Sequence, residues 1–540
     1  MTKMRPAPAA SQIATLPFRH GMANRHAQPQ AMRGANRDMA RNANPGLFGK
    51  MFPNLPPLKA SDKALEALAI AMKDPAANPA SGDNAAIPAG YTYLGQFVDH
   101  DITLDLTSLS ERVSDPLAVE NFRTPGLDLD SIYGLGPGPD SRLYERSGSA
   151  PFGFTGKLLV GTALASPDQA GVQIPALPND LERGRHGIAL IGDHRNDENL
   201  LVAQTHLAFI KFHNKVVDQL TATGVPPAQI FDRARQLVRW HYQWIVLHDW
   251  VSRLCEKGTV SRVLREGRKF YRFRTRPFMP VEFSAALYRL GHSMVREIYN
   301  HNRVFRDGGL APGSLQLLFD FTGLSGRLIG SAGPSAVPLP QPALPSNWVI
   351  DWRRFFDFNT PPDPSTGMGL NLTRKLDPFI TEQLHTLPGF PPGVREANLA
   401  FRNLKRGVSL GLPSGQAVAQ EMLRKKIKFT PLTPAEIASG PDGAVAKAHK
   451  LHLNTPLWYY VLKEAQVRGN GEHLGPVGSR LLAEVFVGLV QGDSESFLAQ
   501  KKKWKPTLPS RKAGTFEMVD LLQFVGDISP IDGVTTVSTL

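Results

Sequence analysis

The sequence is almost without cysteine: Cys255 stands alone in 540 residues. No intrachain disulfide can form, so stability must come from packing and from bound cofactors. A single cysteine leaves the compartment open. There is no apolar run of about 18 residues, which excludes a transmembrane helix read from sequence. The opening stretch MTKMRPAPAASQIATLPFRHG carries charge but lacks a continuous apolar core. It does not read as a secretory signal peptide, and the expected location is cytoplasmic or reached by a signal-less export route. Strand-like alternation is scarce and short, and no repeat of about 20–50 residues is found.

What is present is ordinary globular material, with 42% hydrophobic and 20% charged residues. Proline is abundant at 45 residues, well above its usual share of about 5%, so many fixed turns should separate the elements. Length alone allows about two to four domains. However, the Pro/Gly-rich stretches at 134–140, 332–346 and 387–393 each lie between helical patterns rather than between blocks of different composition. The reading is a basic, irregular N-terminal arm (1–50) followed by one large, mainly α-helical domain (51–540) with few short strands. The arm holds eight of the Lys/Arg residues against Asp38 alone, in a chain of net charge +13. Such an arm either tethers the chain to an anionic partner or is a solvated tail. No zinc-finger or RNA-recognition motif accompanies it, so no specific nucleic-acid partner is expected.

Helical periodicity begins at SDKALEALAIAMKD (61–74), which opens on a Ser cap. A long amphipathic segment covers 199–220, and another runs from the Pro pair at 226–227 to about Cys255. Further helices are expected at 281–300, 395–406, 415–427, 476–491 and 515–525.

Four polar clusters interrupt these patterns. YTYLGQFVDHDITLD (91–105) places Gln96, Asp99, His100 and Asp101 within six residues, with Gln96 and His100 on one helical face. A His beside an amide can act as a base near a positioned water or anion. A lone His on such a face is more often a satisfied core residue. IGDHRNDENLL (191–201) sets Arg195 and Glu198 before a helix, where Asp193, Asp197 and Glu198 also suit an N-terminal cap. ALYRLGHSMVREIYN (286–300) places His292 after a Gly in an apolar pattern, with Arg289 three residues earlier. A buried His with a small neighbour can approach a flat cofactor and ligate its metal. FRTPGLDLDSIYG (122–134) alternates Thr124, Gly126, Asp128 and Asp130. These are hard oxygen donors suited to Ca²⁺, or simply an Asp-rich turn.

In this order the clusters resemble the animal-type haem peroxidases, the peroxidase–cyclooxygenase superfamily. Gly95–Asp101 matches that family's Gly-Gln-x-x-Asp-His-Asp run. Arg195 and Glu198 match its Arg-x-x-Glu, ahead of the His213–Asn214 pair. Arg289, Gly291 and His292 match its Arg-x-Gly-His, and NLKRGVSLGLPSG (403–415) looks like its Asn-x-x-Arg-Gly segment. The similarity covers roughly residues 45–430, and the lack of disulfides and of a signal makes the chain look like a bacterial branch.

The resemblance implies haem b as cofactor, with His292 as the axial ligand of the haem iron and Arg289 beside a propionate. It implies His100 as distal base, Arg195 as the cation that stabilises charge as the O–O bond breaks, and Gln96 as holder of water or halide. Asp99 and Glu198 match carboxylates that form ester links to haem. Asp101, Thr124, Gly126, Asp128 and Asp130 match a calcium site. The implied partners are hydrogen peroxide and a small reducing substrate: halide, thiocyanate or phenol.

Asn199 stands where some members carry a Met bonded to haem, and Ser409 where an Asn or Asp is expected to accept from the proximal His. A fatty-acid dioxygenase of the same superfamily uses a Tyr three residues before that His. Here Arg289 holds that position and Tyr288 is displaced by one, which rotates a helical side chain by about 100°. A non-enzymatic haem-binding or adhesion protein would need neither His100 nor Arg195.

Overall fold

A computed structural model of the chain describes residues 48–75, 79–103, 125–148, 153–184, 187–274, 276–322, 342–387, 390–391 and 393–537. The architecture is mainly α-helical, and among the described residues every sheet is a two-stranded pair. The arm up to residue 47 lies outside the described residues. The folded body already begins at Phe48, within the expected arm. Phe48 and Gly49 pair in parallel with Met279 and Pro280, and the buried Glu282 accepts from the amides of Met51 (3.0 Å) and Phe52 (3.1 Å).

Nine helices organise the site. α1 (Asp62–Ala71) is capped by Ser61, whose hydroxyl accepts from the Ala64 amide, as the sequence pattern requires. α2 (Gly90–Ile102) is buried along nearly its whole length. Gly95 on α2 faces the Trp250 indole so closely that a Cβ there would sit 2.8 Å from the ring. α3 (Leu200–Ala222) starts at Asn199, whose side chain accepts from the Val202 amide. α4 (Pro227–Trp244) begins with a Pro at its first position and runs into a π-turn, Ile245–Trp250, that swings Trp250 toward α2. α5 (Leu399–Ser409) and α6 (Gly415–Arg424) follow the second half of the cavity wall. α7 (Leu457–Gly469) was not marked by periodicity, because it is buried on almost every side. α8 (Pro476–Gly492) is buried from Val477 to Val490, the pattern of a central core helix. α9 (Met518–Val525) closes on α3.

The expected helix over 281–300 does not form. A short turn, Val281–Ser284, is followed by a 3₁₀ segment, Leu287–Met294, and then by extended chain in which Ile298 and Tyr299 pair with Ser314 and Gly313. The β-branched Val295 and Ile298 favour that extended exit. In a 3₁₀ turn, side chains three apart eclipse, so Arg289, His292 and Val295 come to one side.

Candidate active site

That side opens on a cavity of about 370 Å³. α2 contributes Gln96, Asp99 and His100 to its lining, the start of α3 contributes Glu198 and Asn199, and the 3₁₀ segment contributes Tyr288, Arg289, Gly291 and His292. Leu315, Phe319, Leu384, Leu387 and Leu399 line an apolar stretch. Residues nearly 200 positions apart are thus gathered around one space.

Within it a polar ladder runs from Asn199 to His100. Asn199 Nδ2 donates to Gln96 Oε1 at 2.9 Å, and Gln96 Nε2 donates to Glu198 Oε1. Glu198 Oε1 lies 3.4 Å from His100 Nε2. Burial alone would raise the Glu198 carboxyl, but it is lowered by its bond to His100, by the charges of His100 and Arg195, and by Gln96. Asp99 accepts from the Thr103 hydroxyl at 2.9 Å.

Arg195 departs from the expectation. Its guanidinium is held by Asp193 (Nη2 to Oδ2, 2.6 Å) and donates to the His100 carbonyl at 2.9 Å, and it does not line the cavity. Asp193, in turn, caps the short turn that carries Arg195, which fixes the pair locally. Asp197 also differs from the expected cap: it forms a buried ion pair with Arg183 at 2.6 Å. His213 and Asn214 lie away from the cavity. His213 Nε2 bonds the Gly156 carbonyl at 2.8 Å, and Asn214 clamps the Leu158 amide and carbonyl.

On the other element, His292 is half-buried, and its basicity is pushed down to about 3, first by loss of solvation and then by the Arg289 charge. It is therefore neutral, the form that ligates a metal. Its Nδ1 lies 2.8 Å from the Asn403 side-chain amide. Asn403, on α5, rather than Ser409 is the side chain beside His292, with its Nδ2 at Nδ1, and the reason is spacing. Leu399, which lines the cavity, and Asn403 are four apart on one helical face, whereas Ser409 is the last residue of α5. The NLKRG segment contained the signal, six residues earlier than the position read from it. Gly291 lines the cavity, and a Cβ on it would meet nothing within 4 Å, so open space lies directly beside His292. A neutral held imidazole, an open glycine cradle and a largely apolar wall fit a flat metal-bearing group such as haem.

Beneath α2, carboxylate oxygens of Asp101, Asp128 and Asp130 lie within 4.8 Å of one another. Asp101 Oδ2 accepts from the Leu129 amide (3.2 Å) and the Tyr242 hydroxyl (3.1 Å). Leu129 adopts a left-handed φ of 58°, which bends the chain between Asp128 and Asp130. Gly126 is buried in the same bend, and Thr124 lies outside the described residues.

Sequence reasoning missed Asn196 and Trp250. Asn196 was visible in the HRNDEN cluster but masked by its charged neighbours, and Trp250 is brought in by a π-turn that periodicity cannot foresee.

Residues 106–505 match the family model described as animal haem peroxidase, and the chain belongs to that family. The matched span contains Arg195, Glu198, Arg289, His292 and Asn403, while Gln96, Asp99, His100 and Asp101 lie just before it. The chain is 24% identical over 394 residues to a peroxidase-like protein of Margaritifera margaritifera, covering 70% of this chain and 45% of that protein. It is 25% identical over 305 residues to thyroid peroxidase of Rattus norvegicus, covering 56% and 30%. It thus spans less than half the length of either curated relative. Its fold is similar to that of peroxidase A from Dictyostelium discoideum, with TM-score 0.54, 14% identity and coverage of 91% and 95%. It is also similar to that of fatty acid alpha-dioxygenase from Arabidopsis thaliana, with TM-score 0.53, 13% identity and coverage of 89% and 79%.

Proposed function

We propose that this chain is a haem-dependent peroxidase that reduces hydrogen peroxide and oxidises a small electron donor such as a halide, thiocyanate or phenol. One observation carries the reading: a single cavity receives both His100, bonded within a polar ladder, and His292, neutral and held by Asn403. Haem bound there supplies the iron and the redox equivalents. His292 is the residue that would ligate the iron, and Asn403 fixes its ring. Arg289, whose Nε donates to the Ser284 carbonyl, presents its charge in the cavity to a propionate. His100 Nε2 takes a proton from peroxide and returns it to the departing oxygen. Gln96 and Asn199 orient a water or halide through their amides. Arg195 braces the His100 backbone and holds Glu198 ionised. Asp99 and Glu198 match the carboxylates that form ester links in the family, and the cluster of Asp101, Asp128 and Asp130 suits calcium.

Tyr288 does not favour the dioxygenase reading. Its hydroxyl donates to the Gly95 carbonyl at 2.8 Å, which occupies it with α2.

The test is a visible spectrum of the haem-loaded protein followed by peroxide-dependent oxidation of a phenolic dye and of iodide. A haem band with turnover supports the proposal. A haem band with fatty-acid-dependent oxygen uptake and no peroxide turnover would replace it by the dioxygenase reading. Absence of haem binding would remove both.

A further inference from the structure

We infer that Asn196 and His206 form a buried positioning pair that fixes the ring of His100 and sets which nitrogen faces the cavity; this rests on the peroxidase reading above. His100, Asn196 and His206 are 5%, 0% and 0% exposed, and they come from three elements: α2, the turn His194–Asp197 and α3. His100 Nδ1 lies 2.8 Å from Asn196 Oδ1, and Asn196 Nδ2 lies 2.9 Å from His206 Nδ1.

The donor and acceptor chemistry of this chain is restrictive. An amide oxygen only accepts, so His100 must carry its proton on Nδ1. In the neutral ring Nε2 then carries the lone pair, and once it has taken a proton it can donate to Glu198 Oε1, 3.4 Å away. An amide nitrogen only donates, so with the amide in this orientation His206 Nδ1 accepts from Asn196 Nδ2. Asn196 thus joins the two rings, and the orientation of its amide sets the tautomer of His100. The His206 ring is itself held edge-on to Phe97, centroids 5.9 Å apart, and Phe97 stacks on Phe209 at 4.8 Å. Neither Asn196 nor His206 lines the cavity, so both act through His100.

The chemical consequence is that a base is available at Nε2 without any prior proton rearrangement. A ring left free to turn or to take the other tautomer would present an N–H to peroxide half of the time or more, and could not accept from it.

The experiment uses haem-loaded protein with Asn196→Ala, Asn196→Asp and His206→Phe. Stopped flow follows the haem band on mixing with peroxide and, separately, with cyanide. Hydrogen cyanide must surrender a proton on binding, so its rate reads the base without turnover. Haem content and thermal midpoint are measured alongside. Asn196→Ala is expected to slow both reactions by roughly 10–100-fold with haem retained, the usual cost of losing an orienting partner. Asn196→Asp, whose carboxylate still accepts from His100 Nδ1, should restore most of both rates. His206→Phe keeps a ring in the Phe97 contact but removes the acceptor, and should fall between. Parent-like rates in both Asn196→Ala and His206→Phe would overturn the inference. Rates in Asn196→Asp as low as those of Asn196→Ala would overturn it too, because a carboxylate can only accept from His100 Nδ1 and should keep the ring in place. A parent that binds cyanide in an Asn196-dependent manner yet never turns over peroxide would support the positioning pair and refute the peroxidase reading.

Discussion

At the scale of single residues, the two cavity histidines divide the work. On the proposed reading, His292 would hold the cofactor through its metal, whereas His100 would only move protons. His292→Ala is therefore expected to lose haem, while His100→Ala keeps it and reacts with peroxide slower by about 10²–10⁴-fold. Haem content and stopped-flow spectra measure both, and equal haem loss in the two variants would reverse the assignment of faces. Asn199 sets a second expectation. Its side chain is committed twice, to the Val202 amide as a cap and to Gln96. It cannot form the sulfonium link that strengthens oxidation in members with a Met there. Iodide oxidation with little chloride turnover should follow, and halide-dependent iodination and chlorination assays across pH decide it. Comparable rates for the two halides would show that another feature governs the oxidising power.

At the scale of elements, α2 is pinned at both faces: its Gly95 packs on Trp250, and Asp101 at its C-terminal end reaches the Asp128–Asp130 bend. Three carboxylates this close repel one another unless a cation joins them. Tightly held calcium near one per chain is expected by metal analysis. Chelation should lower peroxide reactivity and the thermal midpoint together, because the same helix carries His100. Full activity in calcium-free protein would end that account. The cluster on this element was legible in advance, since Gln96, Asp99, His100 and Asp101 are local in sequence, although the helix Gly90–Ile102 that arranges them was not among those expected. The element bearing His292 was not legible. Its apolar spacing mimics an α-helix, but the eclipsed 3₁₀ geometry and the extended exit at Val295 come from pairing with residues 313–314. Asn403 was misplaced for a related reason, because motif order says which residues belong near the site but not which turn of α5 faces it. The resemblance made Arg195 the cation that stabilises charge as the O–O bond breaks, and Asp193, only two residues away, holds it against the His100 carbonyl.

At the scale of the whole molecule, the helical core encloses titratable groups that make stability depend on pH in two opposite ways. His213, His241, His248 and His301 are each pushed down to about 4, chiefly by burial. Below their unfolded value near 6.5, the unfolded chain binds protons that the folded chain refuses. These histidines therefore contribute stability above about pH 6.5 that is lost as pH falls toward 4. Two buried carboxyls act in the other direction. Burial raises Asp377 to about 7 and Glu464 to about 8, even though Glu464 accepts from the Val477 and Gly478 amides at the start of α8. Between their unfolded values near 4 and these folded values, the folded chain holds protons that the unfolded chain has released. Stability from this source falls as pH rises toward 8. Of these groups, the four histidines outweigh the two carboxyls below pH 6.5, and the two carboxyls act above it. The expected profile has its maximum near pH 6.5, with an acid limb owed to the histidines and an alkaline limb owed to Asp377 and Glu464. Urea unfolding at pH 5, 6.5 and 8 reads the profile directly. Glu464→Gln keeps an acceptor for the α8 amides without a titrating proton, so it should flatten the alkaline limb while leaving the acid limb intact. A midpoint that continues to rise from pH 6.5 to 8 in the parent, unchanged by Glu464→Gln, would show that Glu464 is ionised in the folded protein and that the helix N-terminus outweighs its burial.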